Sequence, residues 1–199
     1  NRKNGWVVGE NGTLLHTTNG GHTWTSVTSG TGEDLHRIKF YNYYRGMIVG
    51  TGGITLYTTN AGSSWTSGSS GTSNDLRGVS FASLSRAWAV GSGGKVITTS
   101  DGGQTWSALT SGTSKNLRSV RFMSDGLNGW AVGRDGTILR TSNGGSTWAS
   151  TVISSGQDLN GVSFVTSQKG WAVGNSGTTA RTTDGGTTWT EVSSGVSSD

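Results

Sequence analysis

Residues 17–24 read Thr-Thr-Asn-Gly-Gly-His-Thr-Trp, and the same unit returns at 58–65, 99–106, 141–148 and 182–189. The pattern is Thr-x-Asx-x-Gly-x-(Ser/Thr)-Trp, and its tryptophans stand 41, 41, 42 and 41 residues apart. Five copies at one period mean that the chain folds as a series of like units, each too small to bury a core alone. Any architecture has to place the same eight residues in the same setting five times.

Residue type explains the unit. An Asx side chain accepts hydrogen bonds from backbone N–H groups just downstream and so closes a turn by itself. Asn19, Asn60, Asp101, Asn143 and Asp184 hold that position. A glycine two residues on supplies the positive φ that such a turn requires. The leading Thr offers a hydroxyl to the same loop, and the Trp opens the next strand with a large apolar surface. The unit resembles the Asp-box, or bacterial neuraminidase repeat, found in the outer hairpins of β-propeller blades. Ala61 and Ser64 are its two small departures.

Alignment on the Trp exposes four short strands per repeat. The first reads Leu-x-x-(Ile/Val)-x-Phe, at 35–40, 76–81, 117–122 and 159–164. The second is a Trp-x-Val-Gly unit at 5–9, 87–91, 129–133 and 170–174, with Gly46-Met47-Ile48-Val49-Gly50 in repeat two. Asn11-Gly12 and Asp135-Gly136 carry a hairpin signature before the third strand, which runs into the box. The fourth strand begins at the box Trp. No window keeps a helical period over three turns, so the chain reads as all-β. Four strands and an aromatic motif per repeat are the mark of a propeller blade. The expectation is one domain over residues 1–199, built of five antiparallel blades. Trp24, Trp65, Trp106, Trp148 and Trp189 should be buried at equivalent sites.

Several chemistries are excluded or weakened at this level. With no cysteine there is no disulfide, thiolate metal site or cysteine nucleophile. His16, His22 and His36 fall at different repeat offsets without metal-ligand spacing, and no metal or cofactor is expected. No apolar segment approaches a membrane span. The net charge of +4 does not by itself imply nucleic acid. Asp34, Asp75, Asn116, Asp158 and Asp199 recur just before first strands and read as turn and strand-start caps. A catalytic carboxylate could not alternate with an amide in this way. Glu10, Glu33, Asp125, Asp135 and Glu191 are isolated, with no recurring partner for acid–base work. A sialidase-like hydrolase therefore lacks its carboxylate pair. A lectin-like carbohydrate-binding propeller is opposed by the template, which gives all nine Trp and all four Phe a structural place.

The cations are distributed less evenly. The four first strands hold Arg37, Lys39, Arg77, Arg118 and Arg121 and no acid at all. In a propeller these strands line the central channel. His36, Arg77, Arg118 and Asn160 share one equivalent position and would form part of a ring near one channel mouth. Like charges crowded there call for solvation or an anionic partner, or for neutralisation by Asp34, Asp75 and Asp158. Both readings stay open. Tyr41, Tyr43, Tyr44 and Arg45 cluster in one turn, read either as a drifted loop or as an alternative contact patch.

The whole repeat, Gly-Trp-Ala-Val-Gly followed by the box, resembles the photosystem II stability and assembly factor family and its relatives in non-photosynthetic bacteria. That resemblance implies an exported, non-enzymatic propeller that holds another protein during assembly, with an arginine patch matched here by Arg77, Arg118 and Arg121. It places the protein outside the cytoplasm: periplasmic, lumenal or at the cell surface. The photosynthetic members look seven-bladed, whereas five repeats are present here. Five boxes and five second strands are accompanied by only four first strands. The first blade should therefore lack its innermost strand and expose an edge. A segment reading Leu-x-x-Val-x-Phe would fill that edge, from flanking sequence, a neighbouring chain or a partner. The other reading is a five-blade section of a longer propeller, whose ends meet further blades.

Overall fold

The computed structural model of the protein describes residues 3–196 and is all-β. Asp199, the last of the expected strand caps, lies outside the described residues. Blade two runs Leu35–Phe40, Gly46–Gly50, Thr55–Thr58 and Thr66–Ser67, each strand hydrogen-bonded antiparallel to the next. Blade three (Leu76–Phe81, Ala87–Gly91, Val96–Thr99, Ser107–Leu109) and blade four (Leu117–Phe122, Gly129–Gly133, Thr137–Thr141, Ala149–Val152) repeat that order. Blade five does so again with Leu159–Phe164, Gly170–Gly174, Thr179–Thr182 and Thr190–Val192. Among the described residues blade one has three strands, Gly5–Val8, Leu14–Thr17 and Thr25–Ser26, so Gly5–Val8, the equivalent of the second strand elsewhere, lies at the edge. Among the described residues no helix is long and apolar enough to cross a membrane.

Each box is wired as its residue types dictate. Thr17 Oγ1 donates to Asn19 Oδ1 at 2.8 Å and accepts the Gly21 N–H at 3.1 Å. Asn19 Oδ1 also accepts the Thr23 N–H at 3.0 Å. Asp and Asn interchange because the last hydroxyl of the box can reverse its role. Asn19 Nδ2 donates to Thr23 Oγ1 at 2.8 Å, whereas Thr105 Oγ1 donates to Asp101 Oδ2 at 2.6 Å. Two consecutive residues per box adopt positive φ, and at the first of them Ala61 (φ 61°) holds a conformation that favours glycine.

The core lies between successive blades. Trp88 stacks on Phe122 of the next blade at 3.6 Å, and its Nε1–H donates to Gly144 O at 3.0 Å. Trp130 does the same with Phe164 (3.5 Å) and Gly185 O (2.8 Å). The box Trp of the receiving blade closes each site from the side, Trp148 and Trp189 standing perpendicular to those phenylalanines. Met47 replaces Trp in blade two and buries itself against the box of blade three.

The expectation of five equally buried box tryptophans is corrected by this arrangement. Trp106 is 8% exposed, Trp65, Trp148 and Trp189 are half-buried, and Trp24 is 41% exposed. A box Trp is covered by the blade before its own, and among the described residues none packs on blade one there. Blade five shows the converse: Trp171 is 42% exposed, while its equivalents Trp88 and Trp130 are fully buried. Two aromatic residues with structural places in the template thus lie open on the end faces.

Candidate functional site

The first strands position the site, and their pattern contains an irregularity. Leu-x-x-Val-x-Phe puts two apolar residues three apart and the next pair two apart, which an unbroken strand of period two cannot bury on one face. The structure resolves the mismatch with a bulge after the Leu in every first strand. A bulge re-aims the side chain it carries. The bulged residues are His36, Arg77, Arg118 and Asn160, the very set predicted to share a channel mouth.

At that mouth the charges are compensated. Arg77 pairs with Asp75 at 3.2 Å, and Arg118 pairs with Asp158 at 2.7 Å while also donating to Asn160 Oδ1. Asn160 Nδ2 passes the chain on to Asn175 Oδ1 at 2.6 Å, and His36 Nε2 lies 3.2 Å from Thr51 Oγ1. The Asx caps do a second job. Asp34, Asp75, Asn116 and Asp158 accept the N–H of Asn11, Gly52, Gly93 and Asp135, each in the turn of the preceding blade. They staple neighbouring blades together.

Beyond the bulge the strands regain period two, and Arg37, Lys39 and Arg121 form no ion pair among the described residues. Two adjoining cavities, of about 310 and about 250 Å³, share Lys39, Ser80 and Arg121 as walls. Arg37, Ser119 and Ser163 line the first, on the inner wall. The second reaches Tyr41, Phe81 and Ser124 at the opposite end from the bulges. Together they make a groove with cations along it, hydroxyls between them and aromatic rings at its outer end. Tyr41 packs on Phe81 at 5.9 Å and so belongs to this groove. Tyr43 and Tyr44 meet edge to face at 5.1 Å on the exposed loop, and Arg45 lies against Gly102 of the neighbouring box. The basic patch and the tyrosine loop, read as alternatives, meet through the two-residue step from Lys39 to Tyr41. Sequence reasoning missed that junction because it depends on Ser80 of the next blade separating Lys39 from Arg121.

The remaining acids serve turns. Asp125 accepts from the N–H groups of Leu127 and Asn128, Glu191 binds Ser154 and the Ser155 N–H, and Asp135 pairs with Lys115. Burial opposes ionisation most at Asp125, but these hydrogen bonds outweigh it and hold all three carboxyls below the ordinary carboxylate range. A general acid needs a raised pKa, and these move the other way. Among the described residues no group of three or more His, Asp or Glu could hold a metal ion.

Blades of this construction, stapled to one another by the Asx caps and carrying unpaired cations on the inner wall, define a β-propeller. Residues 1–72 and 69–157 match the family model described as photosynthesis system II assembly factor YCF48, and the chain belongs to that family. Among solved structures it is similar to one described as YCF48 bound to D1 peptide, with 24% identity and a TM-score of 0.50 over 96% of this chain and 77% of that one. YCF48 from Cyanidioschyzon merolae is similar at 20% identity and a TM-score of 0.68, over 94% and 68% of the two chains. The GH74 xyloglucanase from Xanthomonas campestris shares the fold at 13% identity and a TM-score of 0.70, over 92% of this chain and 34% of that one. At these identities the likeness is one of fold. No curated protein matches the sequence.

Proposed function

We propose that the protein is a non-catalytic extracytoplasmic scaffold that holds an anionic segment of another protein in the Lys39–Arg121 groove. The observation that carries this reading is the division of the cations. Arg77 and Arg118 have carboxylate partners, while Arg37, Lys39 and Arg121 converge on one groove and pair with none among the described residues. Uncompensated like charges in a shared cavity favour a bound anion. Tyr41 and Phe81 add apolar surface beside them, as an extended peptide with an acidic and a hydrophobic residue would use. Family membership supports a protein partner, and the similar YCF48 structure is described with a bound peptide. The same kinship supports a location outside the cytoplasm. In this reading His36, Arg77 and Arg118 order the far mouth and touch the partner only secondarily. A carbohydrate would ask for ring faces flanked by carboxylates and amides, whereas the rings of this groove are flanked by cations and hydroxyls.

The test is a fluorescein-labelled acidic peptide that carries Leu and Phe and ends in a free carboxylate. Anisotropy should show saturable binding at 50 mM NaCl that weakens by about 10-fold or more at 500 mM, as screening of an exposed charge contact demands. Absence of binding at low salt, or binding that salt leaves unchanged, would overturn the proposal.

A further inference from the structure

The two rims of the propeller differ in what they hold out to solvent. On the rim that carries the boxes, the hairpin from first to second strand exposes Tyr43 and Tyr44 in blade two, Leu84 in blade three, Leu127 in blade four and Val165 in blade five. Each of these side chains is between 47% and 66% exposed. The hairpins and links of the opposite rim expose no large apolar side chain among the described residues, Val196 in the last link apart. A lone apolar residue in water is ordinary, but one in the same turn of four successive blades makes a surface.

Those turns are held in place by their own residues. Asn42, Ser83, Asp125 and Thr166 each accept two backbone N–H groups of their hairpin. A box N–H then donates to a hairpin carbonyl at 2.9 to 3.0 Å, from Ala61 to Tyr44, Gly102 to Ser85, Gly144 to Leu127 and Gly185 to Gln168. The tips therefore stand fixed at one end of the blades, with polar box residues such as Ser63 and Gln104 exposed between them. Arg45, Arg86 and Lys169 close three of the hairpins and form no ion pair among the described residues. The acids of these turns and boxes are Asp101, Asp125 and Asp184, and each carboxylate is taken up by hydrogen bonds inside its own turn. The cations are left to meet a ligand.

We infer that this rim docks on the headgroup layer of an anionic lipid bilayer. A protein partner is met by one continuous apolar centre ringed by polar groups, whereas here the tips stand a blade apart in a polar field. A headgroup layer takes up such tips one at a time, and tyrosine, with its ring and hydroxyl, suits that boundary. Arg and Lys beside them reach lipid phosphates while their stems stay with the apolar tips. The Lys39–Arg121 groove is a separate site, and none of these tips lines it.

The chain has no cysteine, so a single introduced one can carry an environment-sensitive nitrobenzoxadiazole label. The probe is a vesicle of about three parts phosphatidylcholine to one of phosphatidylglycerol. On addition of vesicles the label at Leu84→Cys should brighten at least about 2-fold and shift to the blue. The label at Ser73→Cys, exposed on the opposite rim, should not change. In flotation, a variant combining Tyr43→Ser, Tyr44→Ser, Leu84→Ser and Leu127→Ser should bind vesicles about 10-fold more weakly or worse. Its melting temperature should stay near that of wild type, since the residues replaced are exposed, and the label pair needs no such variant. Absence of vesicle binding by the wild type would overturn the inference. So would equal responses at Ser73 and Leu84, or undiminished binding by the folded variant, either of which would mean adhesion through net charge alone.

Discussion

A single box tryptophan shows how far local chemistry and position each decide an outcome. Trp106 and Trp24 stand in the same eight-residue unit, but one is buried by the preceding blade and the other lies on an end face. Replacing Trp106 by Ala should destabilise the protein by ~3–5 kcal/mol, the usual range for a buried aromatic truncated in a core. Trp24→Ala should cost less than ~2 kcal/mol, because much of its surface is already in water. Denaturant melts of the two variants check this, and equal losses would contradict the packing described above. Sequence could not separate these residues, since burial here is a property of the neighbour and the motif is identical.

At the level of turns and strands, the Asp-box stores part of its stability in carboxylates. Burial disfavours the charged form of Asp101, but hydrogen bonds from Thr105, Thr99 and Gln104 outweigh it and lower its pKa to about 2. Asp184 is held lower still by Thr188 and Thr182. A carboxyl with a folded pKa below its unfolded value of about 3.9 stabilises the fold fully above that value. The contribution is lost as pH falls from about 4 towards 2. Asp101→Asn with Asp184→Asn should therefore flatten the melting curve over that window, since Asn19, Asn60 and Asn143 show that the box accepts an amide. Parallel pH profiles for wild type and double variant would contradict it. The boxes, strands and hairpins were legible because each rests on residues adjacent in sequence. The bulge was legible too, in the three-then-two spacing of Leu35, Ile38 and Phe40, although its effect on Arg77 and Arg118 was not. Their ion pairs depend on where a re-aimed side chain ends, which spacing along one strand does not tell.

For the molecule as a whole, the repeat does more than stack blades. Equivalent positions that carry the same residue type hold the structure, as the second-strand tryptophans and the Asx staples do. Positions where the blades differ are the ones left for function. Lys39, Ser80, Arg121 and Ser163 occupy one such place, and only two of the four are charged. The sequence displayed those cations and offered Asp75 and Asp158 as neutralising partners, but it could not tell which cations were paired, because the Arg118–Asp158 contact crosses from blade four to blade five. In the proposed function the groove between Lys39 and Arg121 is the contact surface and the rim at Arg77 and Arg118 is not. The direct measurement is anisotropy with the labelled acidic peptide against two double variants, Lys39→Glu with Arg121→Glu and Arg77→Glu with Arg118→Glu. Circular dichroism melts should confirm that both remain folded. The groove variant should bind about 10- to 100-fold more weakly than wild type, as reversal of two facing charges implies, and the rim variant should stay within about 3-fold. Equal losses in both variants, or a loss confined to the rim, would contradict the account.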